Sequence, residues 1–144
     1  MCFKLAMEPE FKQLQTKTLD NARALSAVFE SKGYRIVTGG TDNHLILVDL
    51  RSKDLTGDVA EKSLESVGII VNRNVIPGDP QRPDVTSGIR IGSPGITSRG
   101  MGEAEVNQIV EMMDTAMVNI ENGGILDQVS QRVAELCRKF PVYK

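Results

Sequence analysis

The sequence predicts an α/β protein, an α+β sandwich whose small mixed or antiparallel sheet of about four strands carries helices on one face. Three observations predict it. Hydrophobic periodicity switches between helical and extended spacing in the order helix, two strands, helix, two strands, two helices. The 144 residues suffice for one core and are too few for two comfortable ones. With 40% hydrophobic residues but only 4% aromatic and no Trp, that core must be built from Leu, Ile, Val, Met and Ala.

The first helix runs from Pro9, with Phe11, Leu14, Thr18, Ala22, Leu25 and Phe29 at steps of three and four, to a left-handed cap at Gly33. "YRIV" and "HLILVDL" follow as strands joined by "TGGTDN", a cluster that favours a tight reversal. The second strand is apolar on both faces at Leu45, Ile46, Leu47 and Val48, which places it inside the sheet. Thr56 is a plausible N-cap for a short helix with Asp58 in its first turn, Val59, Ala60, Leu64 and Val67 on one face, and a stop at Gly68. "IIV" reads as the third strand. Pro77, Pro80 and Pro83 then make Asn72 to Thr86 a loop, since that spacing excludes helix and central strand alike. "SGIRIG" is the fourth strand. Glu103 and Glu105 open a helix with Val106, Ile109, Val110, Met113, Met117 and Ile120 as its stripe, ended by "NGG". A last helix, about Leu126 to Phe140, carries Val129, Val133, Leu136 and Cys137 and stops at Pro141.

Charge and composition exclude several classes. A formal net charge of -2, without a Lys/Arg stripe interleaved with aromatics, supplies no field for collecting phosphates, so nucleic acid is not an expected partner. Cys2 and Cys137 lie at opposite ends without CxxC or Cys/His spacing; this predicts no metal site and fits a reduced cytoplasm. No apolar run approaches the ~20 residues of a membrane span, and "MCFKLAMEPEF" is too short and interrupted for a signal peptide.

Four features carry possible chemistry. In "TSGIRIGSPG", strand alternation sends Ile89 and Ile91 into the core and Arg90 out of the other face. Gly88 and Gly92 on either side permit close approach of a backbone or ligand, and a guanidinium fork matches a carboxylate in two parallel hydrogen bonds. Arg90 is therefore either a carboxylate-binding residue or a surface or salt-bridged arginine on an edge strand. The loop from Asn72 to Thr86 is long for a small domain. Its Asn72 and Asn74 either face a flat heterocycle or satisfy the loop's own backbone. His44, the single histidine, is either an acid or base oriented by Asp42 or a packing or capping residue. The remaining carboxylates read as scattered over helix surfaces, and no phosphate loop or nucleophile motif is present.

The runs "EPEFKQLQTKTLDNARAL", "GGTDNHLILVDLR", "LTGDVAEKSLESVGI" and "VNRNVIPGDPQRPDVTSGIRIGSPGITSRGMGEAE" resemble, in order and spacing, the C-terminal part of serine hydroxymethyltransferase over roughly residues 3 to 120. The resemblance implies the small C-terminal domain of a fold-type I pyridoxal-phosphate enzyme, closing on a larger domain that holds the cofactor, in a homodimer or tetramer. It implies an enzyme that interconverts serine and glycine with tetrahydrofolate. It puts the substrate-carboxylate arginine at Arg90 and a pterin-contacting asparagine at Asn74. Where bacterial relatives commonly read Ser-Pro-Phe, this chain has Arg82, Pro83 and Asp84, so the folate contacts expected of residues 82 to 84 lose a stacking surface and gain a charge.

The family's Schiff-base lysine lies in a Thr- and His-rich motif, and none of the lysines here has such surroundings. The expectation is a separated C-terminal domain, from a split or truncated gene, a proteolytic product or an expressed piece. Residues 1–33 would form the helix leading to the large domain and 34–144 the small domain, with Phe140 to Lys144 as an ordinary end. Alone, the chain is expected to retain no cofactor and no activity, since pyridoxal phosphate works only where a protein supplies the lysine and orients the ring. Its first helix is expected to leave an apolar face that invites self-association. The competing expectation is a non-catalytic interaction or ligand-binding module derived from the enzyme.

Overall fold

The computed structural model describes residues 2–142; Met1 and Tyr143–Lys144, the outer ends of the two expected segments, lie outside the described residues. A short helix α1 (Cys2–Ala6) leads into the long α2 (Pro9–Ser31), followed by strands β1 (Arg35–Ile36) and β2 (Leu45–Asp49), α3 (Gly57–Ser66), β3 (Asn72–Asn74) and β4 (Gly88–Gly92). Three helices complete the described residues: α4 (Pro94–Ser98), α5 (Glu103–Val118) and α6 (Gly123–Lys139).

The four strands pair antiparallel throughout in the order β1-β2-β4-β3. The two apolar strands are thus central, as the run Leu45–Val48 predicts. Register sets Ile46 against Ile91 and Val48 against Ile89 on the face covered by helices, and all four are buried. On that face α2 packs against β1 and β2 while α3 packs against β3 and β4. Phe29, Leu25, Leu64 and Met113 fill the space between them. The opposite face, with Arg35, Leu45, Leu47, Arg90, Asn72 and Gly92, is exposed or half-buried.

The expected elements are present with four differences. The third strand is Asn72–Asn74, not "IIV". Gly68, at φ 86°, ends α3, and the amides of Gly68 and Ile69 donate back to the carbonyls of Glu65 and Leu64, so the residues after the glycine still belong to the helix end. Ile70 is left 76% exposed, and the loop shrinks to residues 75–87. "NGG" starts α6 instead of ending α5, because the Asn122 side chain accepts from the Ile125 amide and acts as N-cap. Helix α5 consequently stops at Val118 and Ile120 drops out of its stripe. Residues 94–98 form the unexpected α4, with Pro94 at its first position. Finally, the stripe of α2 is buried only from Thr18 onward; Phe11 remains 39% exposed.

A buried polar knot fixes α2 against the end of the sheet. Asn21 donates to the Thr97 hydroxyl (2.9 Å) and the Met101 carbonyl (3.0 Å), and Ser93 Oγ lies 2.7 Å from the Thr18 carbonyl. These bonds leave little freedom for α4 to shift relative to α2.

Candidate functional site

Arg90 stands at the middle of β4, a central strand, between Leu47 of β2 and Asn72 of β3. Alternation turns its side chain away from the helices, and it is exposed. Among the described residues its one hydrogen bond is a long 3.5 Å contact from Nη2 to Asn72 Oδ1. The other described arginines pair with carboxylates or, like Arg99 and Arg138, donate to backbone carbonyls. Among the described residues Arg90 is thus the guanidinium without a committed partner: it is a surface arginine, neither salt-bridged nor on an edge strand.

The flanking glycines differ. A Cβ on Gly88 would lie 2.6 Å from Ile76 Cγ2 and 2.9 Å from the Asn74 carbonyl, so here the close approach is made by the chain itself. A Cβ on Gly92 would meet nothing nearer than 3.6 Å.

Asn72 and Asn74 project from β3 onto the same face as Arg90. Asn74 Nδ2 donates to the Val75 carbonyl at 2.7 Å, and its Oδ1 has no protein donor among the described residues. Beyond it the loop 75–87 carries Arg82, Pro83 and Asp84 at an exposed tip. There Arg82 Nε and Asp84 Oδ1 pair with each other at 3.1 Å, with side chains 82% and 62% exposed. His44 is exposed and has no hydrogen bond to Asp42 among the described residues; its carbonyl accepts from Ser93, so it serves the backbone at the strand's start.

Two carboxylates organise this face, and neither sits on a helix surface, contrary to the expectation for the acidic residues. Asp49, at the end of β2 opposite Gly88, is 2% exposed. It accepts from Arg51 Nη2 at 2.7 Å, from the Arg51 amide at 3.1 Å and from Arg35 Nη1 at 2.9 Å. The Arg51 hydrogen bonds outweigh the opposing effect of burial and hold its pKa down to about 2. Asp79 lies in the loop and accepts from the amides of Ile76, Gln81 and Ser87 and from the Ser87 hydroxyl. Burial pushes its pKa up, but these donors together prevail and bring it to about 2. The signals were present: Asp followed by Arg at a strand's end in "VDLR", and Asp within the proline turn "PGDPQ".

No described lysine stands on this face. Lys53 lies over the Tyr34 ring, Lys32 pairs with Asp114 and Lys62 with Asp58, and Lys4, Lys12, Lys17 and Lys139 belong to α1, α2 and α6. Among the described residues this face therefore offers no amine to form the imine that pyridoxal phosphate needs. Two depressions that mix polar and apolar walls lie away from Arg90. One, of about 440 Å³, lies between α2 and the start of α5, and another, of about 480 Å³, lies under α6. Arg90 faces solvent on the uncovered side of the sheet.

Fold and face define an α/β lobe that offers one uncommitted guanidinium and a carboxylate-anchored loop on the uncovered side of its sheet. The family model described as serine hydroxymethyltransferase matches residues 1–113, and the chain belongs to the serine hydroxymethyltransferase family. Its family is thereby one of one-carbon transferases whose full enzyme works with pyridoxal phosphate and folate. No helix among the described residues is long and apolar enough to cross a membrane.

Proposed function

We propose that this chain is the C-terminal part of a serine hydroxymethyltransferase, contributing Arg90 for the amino-acid carboxylate and the 74–84 segment to the folate cleft, with the chemistry done on a large domain of the same enzyme. The observation that carries the reading is Arg90: an exposed arginine in a central strand, uncommitted, on an otherwise ion-paired face. A serine or glycine carboxylate can take both prongs of its fork, and Asn72 restrains the fork from one side without occupying it. Asn74 keeps an amide oxygen for an N–H of the pterin. Arg82 and Asp84 satisfy each other, so any folate contact from residues 82 to 84 comes from a solvated ion pair and Pro83 instead of a stacking ring.

In the complete enzyme pyridoxal phosphate supplies the electron sink; this chain binds and orients the substrates. Residues 1–33 lead to the large domain and 34–144 form the small one, in a homodimer or tetramer. The exposed Phe3, Leu5 and Met7 support that reading, since an apolar N-terminal surface is suited to being covered. By itself the chain neither retains the cofactor nor turns over serine. Imine-bound pyridoxal phosphate trapped by borohydride and seen by mass spectrometry would reject that last point.

The test is complementation: the chain is mixed or co-expressed with a large-domain piece and assayed for tetrahydrofolate-dependent serine cleavage. Arg90→Ala should lower kcat/KM at least about a hundredfold, because two charge-assisted hydrogen bonds of roughly 1.5–3 kcal/mol each are lost. Arg90→Lys should recover little, since a point charge cannot reproduce the fork. Unchanged activity in Arg90→Ala rejects the assignment. A chain that never complements yet binds an intact copy of the enzyme would favour the interaction module.

A further inference from the structure

The loop 75–87 leaves β3 just after Asn74 and returns to β4 two residues before Arg90, and its path is set by one carboxylate. Asp79 Oδ2 accepts from the amides of Ile76 (3.2 Å) and Ser87 (2.9 Å), and Oδ1 accepts from the amide of Gln81 (2.9 Å) and the hydroxyl of Ser87 (2.6 Å). Three of these donors are backbone amides that a loop of this kind would otherwise leave to water. The Ser87 bonds matter most, because the residue before it, Thr86, has φ 62°, a left-handed conformation that a β-branched side chain resists. Thr86 is nonetheless buried, its carbonyl accepting from the Gly57 amide at 2.9 Å. The Ser87 carbonyl in turn accepts from the Leu50 amide at 2.9 Å, which joins the loop's end to the residue after β2. Asp79 thus holds a strained junction on one side and the loop's middle on the other.

We propose that Asp79 is the positioning residue that fixes the folate-side loop in register with Arg90, so that Asn74, Arg82, Pro83 and Asp84 meet one substrate while Arg90 holds the other. This rests on the reading of residues 74 to 84 as part of the folate cleft. Asp79 touches neither substrate. A carboxylate is required: four donors converge on two oxygens, and an amide offers one acceptor oxygen while turning two donors toward the same N–H groups. Asp79→Asn keeps shape and volume but should release the loop.

Two measurements on the same variants test this. In hydrogen exchange on the full chain, Asp79→Asn and Asp79→Ala should speed exchange of the Gln81 and Ser87 amides by about tenfold or more, while the Ile89 and Ile91 amides of β4 stay as slow as in the parent, showing that the fold is intact. In the reconstituted enzyme, Asp79→Asn should raise KM for tetrahydrofolate about tenfold with KM for serine within about twofold, and Ser87→Ala should not add fully to it. Asn74→Ala is the control for the underlying reading. If Asn74→Ala raises the folate KM but Asp79→Asn does not, the positioning role is overturned and the cleft stands. If neither does, or if the parent chain never reconstitutes folate-dependent turnover, the cleft assignment fails and the inference with it. Unchanged loop exchange in Asp79→Asn overturns the inference whatever the kinetics.

Discussion

At the scale of single residues, the open face is governed by where its charges are cancelled. Asp49 takes two arginines, Arg35 and Arg51, that would otherwise compete with Arg90 for any anion near the sheet. Its pKa of about 2 lies below the value near 3.8 of a free aspartate. Its contribution to stability is therefore present in full above about pH 4 and is lost as pH falls toward about 2. That contribution is of order 2 kcal/mol, reduced by solvent screening of the half-exposed arginines. Urea midpoints measured between pH 5 and pH 2.5 should fall steeply in the parent and less steeply in Asp49→Asn; equal slopes would show that the pair contributes nothing. Arg90 could be singled out from alternation and flanking glycines alone, because a strand's period of two decides which face a residue takes. Asp49 and Asp79 could be only in part: "VDLR" and "PGDPQ" hold the near donors Arg51 and Gln81, but the Arg35 and Ser87 donors, 14 residues away in β1 and 8 residues away before β4, leave no local pattern.

At the scale of elements, the two glycines around Arg90 do different work, and only contact geometry tells them apart. Gly88→Ala would drive a methyl into Ile76 and the Asn74 carbonyl, wedging β3 from β4, at a cost of about 1–3 kcal/mol. Gly92→Ala meets only ordinary contacts and should change stability by no more than about 0.5 kcal/mol. Thermal unfolding of the two variants checks this, and equal losses would mean that β3 yields freely. The strand cores and the long helices were legible because their periodicity runs over many residues. Their ends were not, for chemical reasons visible at two places. Gly68 lets the chain complete the α3 cap before extending, which moved the third strand from Ile69–Val71 to Asn72–Asn74. Asn122 caps forward, which turned a stop into a start. In both, a side chain or a left-handed residue supplied partners to orphan helix groups, a choice that hydrophobic pattern does not encode.

At the scale of the whole molecule, the decisive feature is that the apolar stripe of α2 outruns the core that it serves. Thr18, Ala22, Leu25 and Phe29 are buried, whereas Phe11, about two turns before Thr18 on the same stripe, is 39% exposed, and Phe3 and Met7 reach 90% and 85%. Leu5, Phe11 and Leu14 line one depression at this end, and burying exposed apolar side chains of this kind returns roughly 25 cal/mol per Å². The chain by itself should therefore associate through these residues: sedimentation velocity should show a concentration-dependent shift above the 15.8 kDa monomer. Phe3→Ser with Met7→Ser should return it toward monomer without loss of the core, because neither side chain reaches the sheet. A clean monomer at high concentration would count against the idea. The same surface gives a second reading of the experiment: if a large-domain piece normally covers it, adding that piece should dissolve the self-association in proportion to the complex formed. Self-association that persists beside a formed complex would mean that the two contacts use different surfaces.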